Sequence, residues 1–171
     1  AHILEGQKRQ KALLAHVFLT HLHSDHVTDF NDVVTTSWAV GPPGSELRVA
    51  GPVGTATFTD RTMAALEDDI AYRMAHHDDL NGPPVVHVTE VEDGIAWRSG
   101  PDDGPGAIVV TCAPTDHRPV HPTVGYRVDA EGTSVVIAGD TVPCDGLDRL
   151  CEGASVYVPT VIRPDLIAQL P

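Results

Sequence analysis

Residues 17–26 read Val-Phe-Leu-Thr-His-Leu-His-Ser-Asp-His, an apolar run that leads directly into a cluster of polar side chains. The run Val17–Leu19 has the length and composition of a buried strand. Four potential metal ligands follow it within six residues, namely His21, His23, Asp25 and His26. Imidazole nitrogens and a carboxylate oxygen are ligands that suit Zn, Mn or Fe. The sequence therefore predicts a metal site where this strand ends.

The spacing of the four side chains favours two metal positions over one. Residues two apart at a strand end point the same way, so we expect His21 and His23 to bind one ion. The turn that follows redirects Asp25 and His26 towards a second position. Two ions about 3.5 to 4 Å apart form the usual two-metal hydrolytic site. Ten histidines among 171 residues agree with a metal protein.

The rest of the chain has a helix-rich first half and a strand-rich second half. Helices are predicted over residues 8–15, from a cap at Ser24 or Asp25 to the turn at 41–44, and over 55–75, with a strand over 47–50. An apolar period of two predicts strands over 85–91, 95–98, 107–112, 124–128 and 134–138, with a hairpin turn at Glu131-Gly132 between the last two. A helix over 147–151, a strand over 155–158 and a helix start at Asp165 follow. No stretch is long enough for a linker, so we expect one α/β (α+β) domain over 1–171.

The charge of the chain bears on its partners and its surroundings. Twenty-four acidic and eleven basic residues give a net charge of −13, which disfavours a broad nucleic-acid surface. Three cysteines make an odd count without a disulfide framework, which favours a reducing compartment. Residues 1–10 do not have the apolar core of a signal peptide and no stretch approaches eighteen apolar residues, so we expect a cytoplasmic protein without a membrane partner.

Three motifs resemble those of a known family. His21-x-His23-x-Asp25-His26 after an apolar strand resembles the metal-binding motif of the metallo-β-lactamase superfamily. Asp116-His117, which is followed by Gly125-Tyr126-Arg127, and Gly139-Asp140-Thr141 resemble motifs of its ribonuclease Z and arylsulfatase-like branch. The resemblance implies a four-layer αβ/βα sandwich, and we expect this chain to lack parts of it at both ends. It also implies a ligand set: His21, His23 and His117 on metal one, Asp25 and His26 on metal two, and Asp140 between them.

The same resemblance implies a binuclear metal-dependent hydrolase. Two Zn²⁺ ions, or Mn²⁺ or Fe, would activate a hydroxide, and Asp25 would orient that hydroxide or accept its proton. The expected substrates are phosphodiesters or sulfate esters, and the expected activities are those of a phosphodiesterase, an arylsulfatase or a ribonuclease Z-like tRNA 3′ endonuclease. The family's tRNA-clamping arm often follows the Gly-Tyr-Arg strand, and only residues 128–138 separate that strand from Gly139. Together with the acidic charge, this favours a small anionic ester over an RNA 3′ end.

Other interpretations remain open at this stage. The alternative function is a catalytically incomplete module that keeps the fold for binding or assembly, and a homodimer is expected in either case. Asp116 is expected to orient His117 through a hydrogen bond. Arg127 fits either an anion-binding role or a structural ion pair, and Cys144 and Cys151 fit buried packing thiols.

Overall fold

The computed structural model describes residues 15–99 and 106–161, together with Asp165 and Ala168. Within these residues the chain forms two compact units, residues 1–91 and 92–171, each built on one sheet. The helix predicted over 8–15 lies outside the described residues, and so does most of the helix expected from Asp165 onwards. Among the described helices, none has the length and apolar character that crossing a bilayer requires.

The first unit alternates strands and helices around a parallel sheet. Its sheet has the order β1-β2-β3, and both strand pairs are parallel. Parallel neighbours need a long crossover connection, which the helices supply here. The elements in chain order are β1 (His16–Phe18), α1 (Ser24–Val27), α2 (Phe30–Ala39), β2 (Glu46–Gly51), α3 (Thr55–Ala65), α4 (Glu67–His76) and β3 (Val85–Glu90).

The core of this unit joins the sheet to the helices. Its buried members are Leu19, Phe30, Val34, Leu47 and Val49, and further apolar residues of α3 and β3 pack against them. The Phe30 and Phe58 rings lie 5.2 Å apart between centroids, which brings α3 against α2. This packing confirms the expected apolar faces of the helices and the strands predicted over 17–19 and 47–50.

Three details of the predicted helices are wrong. The single helix predicted from Ser24 or Asp25 to the turn at 41–44 is two helices, Ser24–Val27 and Phe30–Ala39. The residue that caps α1 is His23, whose backbone is extended, whereas Ser24 and Asp25 already lie in the first turn. There the Asp25 carboxylate interacts favourably with the helix dipole, which compensates for the missing side-chain cap. The single helix predicted over 55–75 is two helices that meet at Leu66, where ψ is 0°. The acidic run from Glu67 begins the second helix and stabilises its amino end in the same way.

The second unit is mainly antiparallel. Its sheet has the order β4-β5-β6-β7-β8, and only β7 and β8 pair in parallel. Glu131 and Gly132 both have positive φ, so they form the predicted two-residue hairpin turn between β6 and β7. The elements are β4 (Gly94–Arg98), β5 (Ile108–Pro114), β6 (Val124–Ala130), β7 (Thr133–Ile137), α5 (Asp145–Cys151) and β8 (Val156–Val158). The mixed α/β class is confirmed.

Helix α5 packs closely on the sheet of the second unit. Val136, Ala138, Leu147 and Leu150 form its buried core with Ala113. A side chain at Gly146 would collide with the Pro114 carbonyl, so only glycine lets the helix approach the end of β5 this closely. This approach fixes the end of β5, three residues before His117.

Glu90 at the end of β3 holds the amino end of α3. Its Oε1 accepts hydrogen bonds from the Gly54 and Ala56 N–H groups at 2.8 and 3.0 Å, in the place of a missing side-chain cap. We expect Glu90→Ala to lower the free energy of unfolding by about 1 kcal/mol, as loss of a helix cap does. Urea denaturation measures this change. Glu92→Ala is the matched control, and equal stability of the two variants would contradict the assigned role.

Candidate functional site

The histidine cluster lies at the carboxyl end of β1. The Leu19 N–H donates to the Ala50 carbonyl at 2.8 Å, which continues the β1–β2 pairing beyond the strand. The chain then turns at residues 20–23 and enters α1. The carboxyl ends of parallel strands are where α/β proteins commonly bind ligands. The sequence prediction of a cluster at a strand-to-helix junction is therefore confirmed.

Three imidazoles meet within this segment. The His21 ring is completely buried, and its centroid lies 5.0 Å from that of His23 and 4.2 Å from that of His26. His23 is not buried to the same degree, so the cluster extends from the interior of the unit to its surface. The geometry thus groups all three predicted histidines of the first motif.

Thr20 orients the buried imidazole. Its Oγ1 lies 3.1 Å from Nδ1 of His21. When Nδ1 donates its proton to Thr20, Nε2 keeps the lone pair that a metal ligand needs, which is the usual arrangement of ligating histidines. This role of Thr20 was not predicted from the sequence, although Thr20 directly precedes His21.

Asp25 is the exposed carboxylate of the cluster. Its Oδ2 lies 3.6 Å from Nε2 of His26, and its side chain is 74% exposed. Three imidazoles and one carboxylate in such proximity form a donor set that suits Zn²⁺ or a similar divalent ion. By its donor chemistry, the first unit fits the metal that the sequence motif implies.

The second unit brings His117 and Asp140 together. Nε2 of His117 lies 3.7 Å from Oδ2 of Asp140, and the two side chains are 28% and 23% exposed. His117 follows β5 and Asp140 follows β7, which are separated by β6 in the sheet. An imidazole and a carboxylate at this distance offer a second small set of metal ligands. Each unit thus groups the predicted ligands that it contains.

Hydrogen bonds at Thr141 and Val142 connect the loop that contains His117 to the loop that contains Asp140. The Val142 N–H donates to the Asp116 carbonyl at 2.9 Å, and the Asp116 N–H donates to Thr141 Oγ1 at 3.1 Å. These bonds connect the residues that flank His117 to those that follow Asp140. The Gly139-Asp140-Thr141 motif therefore supplies a positioning hydroxyl as well as a carboxylate.

The side chain of Asp116 forms an ion pair with Arg118. Both of its carboxylate oxygens accept hydrogen bonds from Arg118, at 2.9 and 2.6 Å. The Arg118 guanidinium lowers the pKa of Asp116 through these bonds and through its charge. The bidentate contact with Arg118 holds this carboxylate in place, and its expected role in orienting His117 stays a prediction.

The contacts of Arg127 favour a structural ion pair over an anion-binding role. Its guanidinium pairs with Asp129 at 3.0 Å and donates to the Leu150 and Glu152 carbonyls at 3.0 and 2.6 Å. These carbonyls lie at the carboxyl end of α5, where a cation is favourable. Its neighbour Tyr126 is buried, and this burial raises the pKa of the phenol, which therefore stays neutral.

The three motifs do not include Cys144 and Cys151, or the adjacent pair His76 and His77. Cys144 and Cys151 are free thiols that pack against the core of the second unit, as expected. His76 ends α4 and His77 caps it, and both are exposed. Among the described residues, the groups of side chains that could hold a metal ion do not include these four.

Comparison with known proteins places the chain in a family. The model of the beta-lactamase superfamily domain matches residues 3–167. The chain belongs to this family. The match covers almost the whole sequence, including all three motifs, so the predicted membership of the superfamily is confirmed.

Several curated relatives are named ribonuclease Z. The proteins from Mycobacterium avium and Mycolicibacterium gilvum are 52% and 49% identical over 160 and 168 residues, which are 92% and 97% of this chain. The alignments cover 55% of each relative, so the chain spans about half their length. A putative ribonuclease Z of Mycobacterium tuberculosis is 48% identical over 157 residues, which are 91% of this chain and 67% of that protein.

Solved structures agree with this family. The short form of human tRNase Z matches with a TM-score of 0.54 and 26% identity, over 84% of this chain and 56% of that one. The metallo-beta-lactamase fold protein YhfI of Bacillus subtilis matches with the same TM-score and 16% identity, over 92% of this chain and 54% of that one. The second likeness supports the fold alone.

The contacts of Arg127 lead to a stability prediction. We expect Arg127→Ala to lower the free energy of unfolding by about 1 to 3 kcal/mol, because two carbonyls lose a charged donor. Arg118→Ala is the control and should change stability little, because its side chain is 83% exposed. Denaturant titration compares the two variants. A larger loss for Arg118→Ala would contradict the structural role of Arg127.

Proposed function

We propose that the intact protein is a metal-dependent endonuclease of the ribonuclease Z type, which cleaves a phosphodiester bond in RNA. The observation that carries this proposal is the cluster of His21, His23 and His26 at the end of β1. It occurs in a chain that is 52% and 49% identical to two proteins named ribonuclease Z. Human tRNase Z, a structural relative at 26% identity, points to tRNA as the class of substrate.

The proposed metal ligands are the six residues of the three motifs. His21, His23 and His117 would hold one ion, Asp25 and His26 would hold a second, and Asp140 would bridge them. When bound, the divalent ions would lower the pKa of water and polarise the phosphoryl group, whose phosphorus atom is attacked. Zn²⁺ is the proposed ion, and the same donors accept Mn²⁺ or Fe. The donor chemistry of the two ligand groups supports this assignment.

The protein side chains have distinct tasks in this mechanism. The hydroxyl of Thr20 holds the His21 ring in one orientation through Nδ1, so that Nε2 serves as the ligand atom. Asp25 is exposed enough to meet the substrate, and its Oδ2 is the group proposed to orient the attacking water and accept its proton. The hydrogen bonds of Thr141 keep the Asp140 loop beside the His117 loop, which preserves the position of both ligands.

The names of these relatives favour an RNA substrate over the small ester substrate that the sequence predicted. They also give no support to the alternative of a catalytically incomplete binding module. A small phosphodiester remains a second candidate substrate, because the acidic net charge of −13 limits how much RNA the surface can hold. Cytoplasmic location, a homodimer and sulfate ester cleavage stay predictions.

Metal content gives the first test. We expect the intact protein to bind two Zn²⁺ ions per chain, and His21→Ala to bind at most one, because it removes a ligand of metal one. Inductively coupled plasma mass spectrometry after dialysis measures the ratio. His121→Ala lies outside the three motifs and serves as the control. Equal zinc in the two variants, with circular dichroism unchanged, would refute the assignment of His21.

Substrate choice gives the second test. We expect cleavage of precursor tRNA at its 3′ trailer, and a loss of at least about 100-fold in kcat for Asp25→Ala, as removal of a general base produces. Gel analysis of labelled precursor tRNA measures the rate, and bis(p-nitrophenyl) phosphate serves as the small-ester comparison. Hydrolysis of the small ester without cleavage of tRNA would overturn the ribonuclease proposal and favour the second candidate.

A further inference from the structure

The first unit contains a cavity that begins at the metal-binding motif. Its volume is about 480 Å³, and one of the residues that line it is Ser24, which lies between His23 and Asp25 in the sequence. A volume of this size accommodates a group as large as a nucleotide. None of the six proposed ligands lines the cavity, so it is a separate feature beside them.

Two helical faces form the walls of this cavity. One wall has residues 24, 27, 28 and 31, and the other has residues 58, 61, 62 and 65 together with Leu66. The second set follows the i, i+3, i+4, i+7 spacing of one helical face, whereas the first set spans α1 and the start of α2. The contact between Phe30 and Phe58 holds the two walls together beneath the opening. The cavity is therefore built by the packing of α3 against α1 and α2.

The lining of the cavity has an apolar part and a polar part. Val27, Phe58 and Leu66 are partly buried and pack against the core of the unit, so they form an apolar floor. Hydroxyl and amide groups surround this floor, and one cation joins them. The polar members are Ser24, Thr28, Asn31, Arg61 and Thr62. No carboxylate lines the cavity, although the chain as a whole is strongly acidic.

Arg61 differs from the other arginines that the structure describes. Five of them form ion pairs with neighbouring carboxylates: Arg48, Arg73, Arg118, Arg127 and Arg149. Arg98 also has an interaction partner. Arg61 has no acidic residue three or four positions away on α3, whereas Arg73 on α4 pairs with Asp69 at i−4. Within the described ranges, 15–99 and 106–161, Arg61 has no ion pair with a carboxylate.

We propose that this cavity binds a phosphate group of the RNA strand next to the cleaved bond, with Arg61 as the contacting cation. The guanidinium matches the geometry of phosphate oxygens. The hydroxyl and amide groups around it, above all that of Asn31, supply further donors. The apolar floor receives the sugar or base of the same nucleotide. This inference rests on the proposed function, because it takes the bound strand to be the RNA substrate.

Binding of a short RNA tests the inference without requiring turnover. The probe is a fluorescein-labelled single-stranded RNA of 12 nucleotides, titrated with the intact protein at several salt concentrations and followed by fluorescence anisotropy. A gel confirms that the RNA stays whole during the measurement. We expect Arg61→Ala to weaken binding about 5- to 10-fold. The slope of log K against log salt should fall by about 0.7, the value for one phosphate contact on a single strand.

Two further variants make the result specific. Arg73→Ala removes the same charge from an arginine that Asp69 already neutralises, so it should leave the slope unchanged. Asn31→Asp places a carboxylate in the cavity without a change of size, and it should weaken binding by repelling the phosphate. Thermal melting of each variant checks that the fold is kept.

The outcomes separate this inference from the proposed function. A wild-type protein that cleaves precursor tRNA, with the same salt slope for Arg61→Ala and Arg73→Ala, would overturn the phosphate site and leave the ribonuclease proposal standing. A protein that does not cleave RNA, but loses affinity and slope only with Arg61→Ala and Asn31→Asp, would support the phosphate site and refute the ribonuclease proposal.

Discussion

The parallel pairing of β1 with β2 is the constraint on which the histidine cluster depends. β1 has only three residues, His16–Phe18, and its register continues through the hydrogen bond from Leu19 to Ala50. This bond fixes the position of the chain just before it turns, so that the His21 ring is buried inside the unit. His23 and His26 come next in the sequence and lie nearer the surface. A one-residue slip would turn every side chain of the segment to the opposite face. The short strand is therefore essential to the site.

The sequence predicted the parts of the structure that local chemistry determines. The cluster at the end of β1, the hairpin at Glu131-Gly132 and most strands follow from apolar periodicity and turn residues, and all were found. The break at Leu66 was missed because Met63, Leu66 and Ile70 continue a helical spacing across it. Only the backbone angles of Leu66 and the acidic run after it separate α3 from α4.

Side-chain partners were harder to predict than elements, because they depend on residues distant in the sequence. Arg127 takes its partners from β6 and from the end of α5, and nothing local distinguishes this from an anion site. Glu90 reaches α3 across 36 and 34 positions of sequence. The significance of Arg61 could not be predicted either, because it depends on the cavity that α3 forms with α1 and α2.

The contact of Glu90 with α3 has an electrostatic consequence for this unit. The amino end of a helix carries a partial positive charge and is a ready site for anions. Here the Glu90 carboxylate already occupies that end, through the N–H groups of Gly54 and Ala56. The amino end of α3 is thereby occupied, so it is not open to another anion. The phosphate contact proposed for this unit would therefore come from the Arg61 side chain and not from the start of the helix.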